Sequence, residues 1–229
     1  MQQSGFARAL MSGALIGLLL VAAVIGYLVW RGLEHSKTAG PDDVVVMLVL
    51  PDEEGVILPR VVDRYVSSES AFAVERLDPQ ATAQIPGTSY TLLRDAYSFE
   101  GPAGIVDAVA SGIDRRPSYI VLDAKGIERL AGSQAFTIDI PEHMEVFDGQ
   151  RLRTFEQGTT TISAEDLGLL FLGAQYLKDS SHQSVREQVG DAILQLLAAD
   201  DAAGSWIETD LTPDDYDPFR SRLQIEVAR

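Results

Sequence analysis

Hydrophobic positions in this chain fall into a few unbroken runs and several periodic ones, and each predicts an element. Ala9 to Trp30, ALMSGALIGLLLVAAVIGYLVW, is 22 residues without a charge. At about 1.5 Å rise per residue, a helix of that length crosses a hydrocarbon layer about 30 Å thick. Tyr27 and Trp30 suit the interfacial belt, and Arg31 follows at once. A cleaved export signal is the competing reading, but such signals have a shorter apolar stretch followed by a small-x-small site. The run therefore predicts an uncleaved single-pass anchor over residues 9–30. Residues 1–8 then form a short tail, and residues 31–41, with Gly40-Pro41, a linker. Arg8 on one side against Arg31 and Lys37 on the other gives the charge rule little to decide. The short tail favours tail inside and domain outside, on the extracytoplasmic face of the cell membrane.

Val44–Leu50, VVVMLVL, is continuously apolar and β-branched, the pattern of a strand buried on both faces. VILPRVVDRYV predicts a second strand interrupted at Pro59. Residues 67–89, with Pro79 and Pro86, read as irregular. GPAGIVDAVASG predicts a short helix, with Pro102 near its start and Gly112 at its end. Ser118–Asp123 is another buried strand, and AKGIERLAG a short helix closed by Gly132. AFTIDIP alternates, with Phe136, Ile138 and Ile140 on one face and Thr137 and Asp139 on the other. SAEDLGLLFLGAQYL predicts a helix capped by Ser163. SVREQVGDAILQLLA sets Val185, Val189, Ile193 and Leu196 with Leu197 on one helical stripe. Strands alternating with helices predict the α/β class. The acidic stretch ADDAAGSWIETDLTPDDYDPF lacks the ligand order of a calcium loop and reads as a solvated surface.

Composition narrows the chemistry. The 229 residues contain no Cys, which removes disulfides, thiolate nucleophiles and Cys-ligated metals. The formal charge is −16; residues 1–37 hold Arg8, Arg31 and Lys37 against Glu34, so the remainder carries −18. That field repels nucleic acid, which is excluded as a partner. His35, His143 and His182 lack zinc-ligand spacing. No P-loop, G-x-S-x-G or G-x-G-x-x-G occurs. Asp42-Asp43 directly precede the buried strand. Acids there serve a solvated turn, or hold Mg²⁺ when a phosphate completes its shell.

Several segments, in one order, resemble the LytR-CpsA-Psr family of cell-envelope proteins. DDVVVMLVLPDEEGVILPRVVDRYV is similar to that family's strand, turn and strand ending in P-R-D. LLRDAYSFEGPAGIVDAVASGIDRRPSYIVLDAKGIERLAG resembles its K-I-N-x-A-Y, Gly-Gly-Pro helix and following strand and helix. IPEHMEVFDG and FEQGTTTISAEDLGLLFLGAQY resemble its v-P-x-x-M, D-G and G-x-x-x-L-x-G-x-x-A-L-x-Y-x-R-x-R run. VREQV resembles its R-Q-Q, and IETDLTPDDYDPF its late T-D-L-S segment. The likeness covers roughly residues 42–224. It implies a single mixed α-β-α sandwich domain, residues 42–229, behind one N-terminal transmembrane helix. It also implies a long apolar pocket for polyprenyl-pyrophosphate lipids and, in active members, Mg²⁺-dependent transfer of the linked glycopolymer to peptidoglycan. A pyrophosphate needs several Arg forks and a metal to neutralise it, in the ground state and in transfer.

Carried over residue by residue, the resemblance sets Asp42 or Asp43 on the early acid, hence on Mg²⁺. Asp63 takes the acid of P-R-D while Val62 takes its arginine, with Arg60 and Arg64 nearby. Arg94 stands where the family has Asn. The R-x-R pair falls on Gly173 and Gln175. Gln183 replaces the Arg before R-Q-Q, and Arg186 keeps its place. The candidate catalytic set is Arg186, Asp63, Arg60 and Arg64; the ligand-binding set is Arg94, Gln175 and Gln183; the Mg²⁺ ligands are Asp42 and Asp43. Losing one preorganised charge contact costs roughly 10²–10³ in rate, so losing several leaves little transfer. Three functions fit. One is a catalytically degenerate accessory or scaffold binding a polyprenyl lipid or an envelope protein. The second is an active transferase using Arg60, Arg64, Arg94 and Arg186 around Mg²⁺. The third is a ligand-free interaction domain. Convergence of the four guanidinium groups argues for transfer; dispersal argues for binding or structure.

Overall fold

The computed structural model describes residues 43–52, 54–67, 72–85, 87–110, 116–148, 150–174, 176–200 and 208–227. All belong to one compact unit, Ala39–Arg229. The expected tail, anchor and linker lie outside the described residues, as do Asp42 and Gln175. Among the described residues no helix is long and apolar enough to cross a membrane.

The first strand, β1 (Asp43–Pro51), is buried from Val44 to Leu50. Its position explains its composition. β2 (Ile57–Ser67) pairs with it antiparallel on one side and β4 (Ser118–Leu122) parallel on the other. With β3 (Phe72–Leu77) and β9 (Glu208–Thr209) the sheet order is β3-β2-β1-β4-β9. On one face Val45, Met47 and Val49 meet Leu93, Ile105 and Val106. These belong to α1 (Leu93–Glu100) and α2 (Pro102–Val109). On the other face Val44, Val46, Leu48 and Leu50 share a core with α3 (Ala124–Ala131), α4 (Ala164–Ala174), α5 (Asp179–Ala199) and α6 (Pro213–Val227). Two strand pairs flank this layer: β5 (Phe136–Ile140) with β8 (Gly158–Ile162), and β6 (Met144–Phe147) with β7 (Leu152–Phe155). The result is an α-β-α sandwich in one mixed α/β domain.

Local chemistry follows the expected signals in several places. The Asp166 amide donates to Ser163 Oγ at 3.2 Å at the start of α4. Asp123 Oδ1 accepts from the Gly126 amide at 2.6 Å, capping α3, and Gly132 ends that helix at φ +53°. Val185, Val189, Ile193, Leu196 and Leu197 are all buried on α5.

Two expectations are corrected. Residues 67–89 are not irregular throughout: β3 occupies Phe72–Leu77, held by the β2 ladder that its sequence alone does not announce. The acidic C-terminal stretch is not merely a solvated surface. It carries α6, whose Tyr216, Phe219 and Leu223 are buried. Their i, i+3, i+7 spacing is helical, and intervening acids disguise it. Phe219 packs edge-on against Tyr65 at 6.0 Å and near-edge-on against Phe72 at 5.6 Å between ring centroids, a preferred aromatic geometry.

Candidate functional site

The carboxyl end of β1 opens into a cleft, the usual place for ligands in open α/β sheets. Its larger lobe, about 780 Å³, is walled by Val146, Phe147, Leu169, Leu172 and Tyr176, with Arg60 at its edge. A second lobe, about 450 Å³, shares Asp52, Arg60 and Tyr176 with the first and adds Glu54, Arg94 and Asp95. Arg60 and Arg94 also both line a narrow recess beside His182.

Backbone geometry aims Arg60 there. Leu48 pairs with Val61 and Val49 with Pro59, so Arg60 is the extra residue of a β-bulge. Bulges re-aim a side chain and lie often beside active sites, and Pro59, lacking an N–H, is suited to one. Burial lowers the Arg60 pKa, the Asp52 charge opposes that, and the like charge of Arg94 lowers it further. Arg94 itself reaches Asp95 only at 3.9 Å.

The other candidate cations sit elsewhere. Arg64 donates from Nη2 to Asp43 Oδ2 at 2.7 Å and from Nε to Oδ1 at 3.0 Å. Its Nη1 donates to Glu75 at 2.9 Å. Arg64 lies four residues beyond Arg60, about 13 Å along a strand, toward the opposite end of β1. The paired acid raises the Arg64 pKa, chiefly by that hydrogen bond. Asp43, the one described Mg²⁺ candidate, gives both oxygens to Arg64, so a metal would have to displace that guanidinium. Among the described residues no three His, Asp or Glu side chains gather as a metal site. Asp43, so paired, does not by itself fit a resident Mg²⁺.

Asp63 and Arg186 are buried together on the opposite face of the sheet from Arg64. Arg186 Nη2 lies 3.7 Å from Asp63 Oδ1 and donates to the Leu77 carbonyl. Burial lifts the Asp63 pKa to about 6 although Arg186 and Arg76 pull it down. Asp63 Oδ1 has no hydrogen-bond partner, which accounts for that balance. A Cβ at Gly190 would stand 2.8 Å from Asp63 Oδ2, so α5 presses directly on this pair. Arg76 bridges from β3 to Asp191 on the same helix. Gln183 is exposed and donates to Glu187 at 2.8 Å. Thus the fold brings Arg60 and Arg94 together and keeps Arg64, Arg186 and Gln183 out of that lobe.

Gly173, at the R-x-R position of the resemblance, has no room for a side chain: an added Cβ would stand 2.3 Å from Val146 Cγ2. Asp52, Glu54, Asp95 and Tyr176 belong to the cleft, although sequence reasoning did not single them out. The signal was available for Asp52, which directly follows the carboxyl end of the buried strand.

Solved structures share this architecture. A LytR-Csp2A-Psr enzyme from Actinomyces oris superposes at TM-score 0.61, 15% identical, over 84% of this chain and 79% of that one. The fold is the LytR-CpsA-Psr fold. TagT bound to LIIa-WTA has it as well, at TM-score 0.57 and 14% identity over 82% of this chain and 78% of that one. TagV of B. subtilis matches at TM-score 0.57 and 12% identity, over 80% and 78%. No family model and no curated protein sequence matches the chain. Apolar walls beside two guanidinium groups suit an amphiphile with an anionic head.

Proposed function

We propose that this protein is a membrane-anchored, extracytoplasmic protein of cell-envelope assembly that holds a phosphate-bearing polyprenyl lipid and does not transfer it. The anchor is the apolar segment Ala9–Trp30, and the cleft at the carboxyl end of β1 takes the lipid. Its prenyl chain lies along Val146, Phe147, Leu169 and Leu172, and its phosphate meets Arg60 and Arg94. The observation that carries the reading is that these two arginines line one cleft while Arg64 and Arg186 lie outside it, against Asp43, Glu75, Asp63 and the backbone carbonyls of Val62 and Leu77. Two guanidinium groups can hold a phosphate, but a diphosphate in transfer demands more charge. Val146 occupies the space an arginine at position 173 would need. The protein then serves as an accessory or scaffold.

The experiment is native mass spectrometry of the full chain from its membrane, paired with incubation of pure protein with a polyprenyl-pyrophosphate-linked glycan. A retained polyprenyl species without phosphate release is the expected pair of results. Turnover lost in Arg186→Ala would establish an active transferase instead, and absence of lipid would favour a ligand-free interaction domain.

A further inference from the structure

We propose that the lipid head in this cleft is zwitterionic: a phosphate ester that also carries an ammonium. The inference rests on reading the cleft as a lipid-phosphate site, and it concerns the charges around that phosphate. The 450 Å³ lobe is lined by Arg60 and Arg94, but also by Asp52, Glu54 and Asp95. The apolar lobe adds Glu145 and Asp148, and among the described residues its one lining cation is Arg60. Asp148 is answered by Arg151 at 3.6 Å and Arg153 at 3.8 Å; Asp95 meets Arg94 only at 3.9 Å. Acids therefore outnumber cations at the mouth, in a chain of formal charge −16.

Such a site disfavours a bare diphosphate twice. Its two guanidinium groups cannot neutralise the ligand, and the surrounding carboxylates repel the excess charge. A phosphate bearing an ammonium a few bonds away resolves both. The phosphate faces the Arg60–Arg94 pair, and the ammonium faces Glu54 and the carboxylates of Asp52 and Asp95. Asp52 is fixed for this, because its Oδ1 accepts from the Glu54 amide at 2.9 Å and the Val56 amide at 2.8 Å. The turn thus holds one acid rigidly beside Arg60, and Glu54 stands exposed on the rim. The complementary pattern is plus and minus at one mouth, next to an apolar wall.

The test uses the full chain in neutral maltoside micelles and three probes with the same decyl tail: decyl phosphate, decyl phosphoethanolamine and decyl diphosphate. Calorimetric titration should rank the phosphoethanolamine about tenfold tighter than the phosphate, since several partly exposed charge pairs contribute. The diphosphate should bind most weakly. Glu54→Gln with Asp95→Asn should cut the preference for the amine to the part that Asp52 supplies while the phosphate still binds. Added salt should narrow the gap. If phosphate or diphosphate binds as tightly as the aminated probe, the zwitterion proposal is wrong while the lipid-phosphate reading stands. If none of the three binds, the lipid reading falls and takes this inference with it.

Discussion

A Cβ on Gly173 would stand 2.3 Å from Val146 Cγ2. Helix α4 and strand β6 touch there backbone to side chain, at the position where the family resemblance expects an arginine. Gly173→Arg should therefore not restore a cation to the cleft. It should cost about 1–3 kcal/mol or more by overpacking, read as a fall in thermal unfolding temperature. The double variant Gly173→Arg, Val146→Gly should recover part of that loss, and no recovery would remove the steric explanation.

Arg186 and Asp63 make a buried structural pair in this account. Arg186→Met alone should destabilise at pH 7 by up to about 3–5 kcal/mol, because Asp63 loses its buried partner and must stay charged uncompensated or take up a proton. Adding Asp63→Leu should return stability to near the parent value. Chemical denaturation of the three proteins measures it.

The same pair predicts a pH dependence. Asp63 has its pKa raised to about 6 in the folded protein, principally by burial, against about 3.9 in an unfolded chain. The folded state holds the proton more tightly, so this group's contribution is fully present below about pH 4. It is lost as pH rises through about 6, by about 3 kcal/mol. The difference in unfolding free energy between parent and the Asp63→Leu, Arg186→Met double variant should therefore move by that amount over this window. A flat difference contradicts the assignment.

The C-terminal helix is part of the core. Phe219→Ala removes the ring between Tyr65 and Phe72 and should cost about 3–5 kcal/mol. Ile225→Ala, whose side chain is exposed, should change stability by less than about 0.5 kcal/mol. Equal effects from the two would contradict the docking of α6.

Legibility from sequence tracked how local each signal was. Val44–Leu50 announced a strand covered on both faces, and the Val185–Val189–Ile193 stripe announced a helix, because their periods are written in consecutive residues. β3 stayed hidden because its identity comes from pairing with β2. Tyr216, Phe219 and Leu223 were masked by the acids between them. For the site, Arg60 and Arg94 stood out in the sequence as cations, but their meeting in one cleft depends on a bulge at Pro59-Arg60 that no local pattern specifies. Asp42-Asp43 drew attention as acids before the strand, while the cleft formed at its other end beside Asp52. The partners of Arg64 and Arg186 are set by strand register and helix docking, which are tertiary facts.

The central claim is that Arg60 and Arg94, and not Arg64, hold the lipid phosphate. Affinity for a polyprenyl phosphate, measured on the full chain in maltoside micelles, tests it directly. Arg60→Ala and Arg94→Ala should each weaken binding roughly tenfold to a hundredfold, the worth of a charged hydrogen bond, and Arg64→Ala should bind like the parent. Undiminished binding in the first two, with loss in Arg64→Ala, would contradict the account.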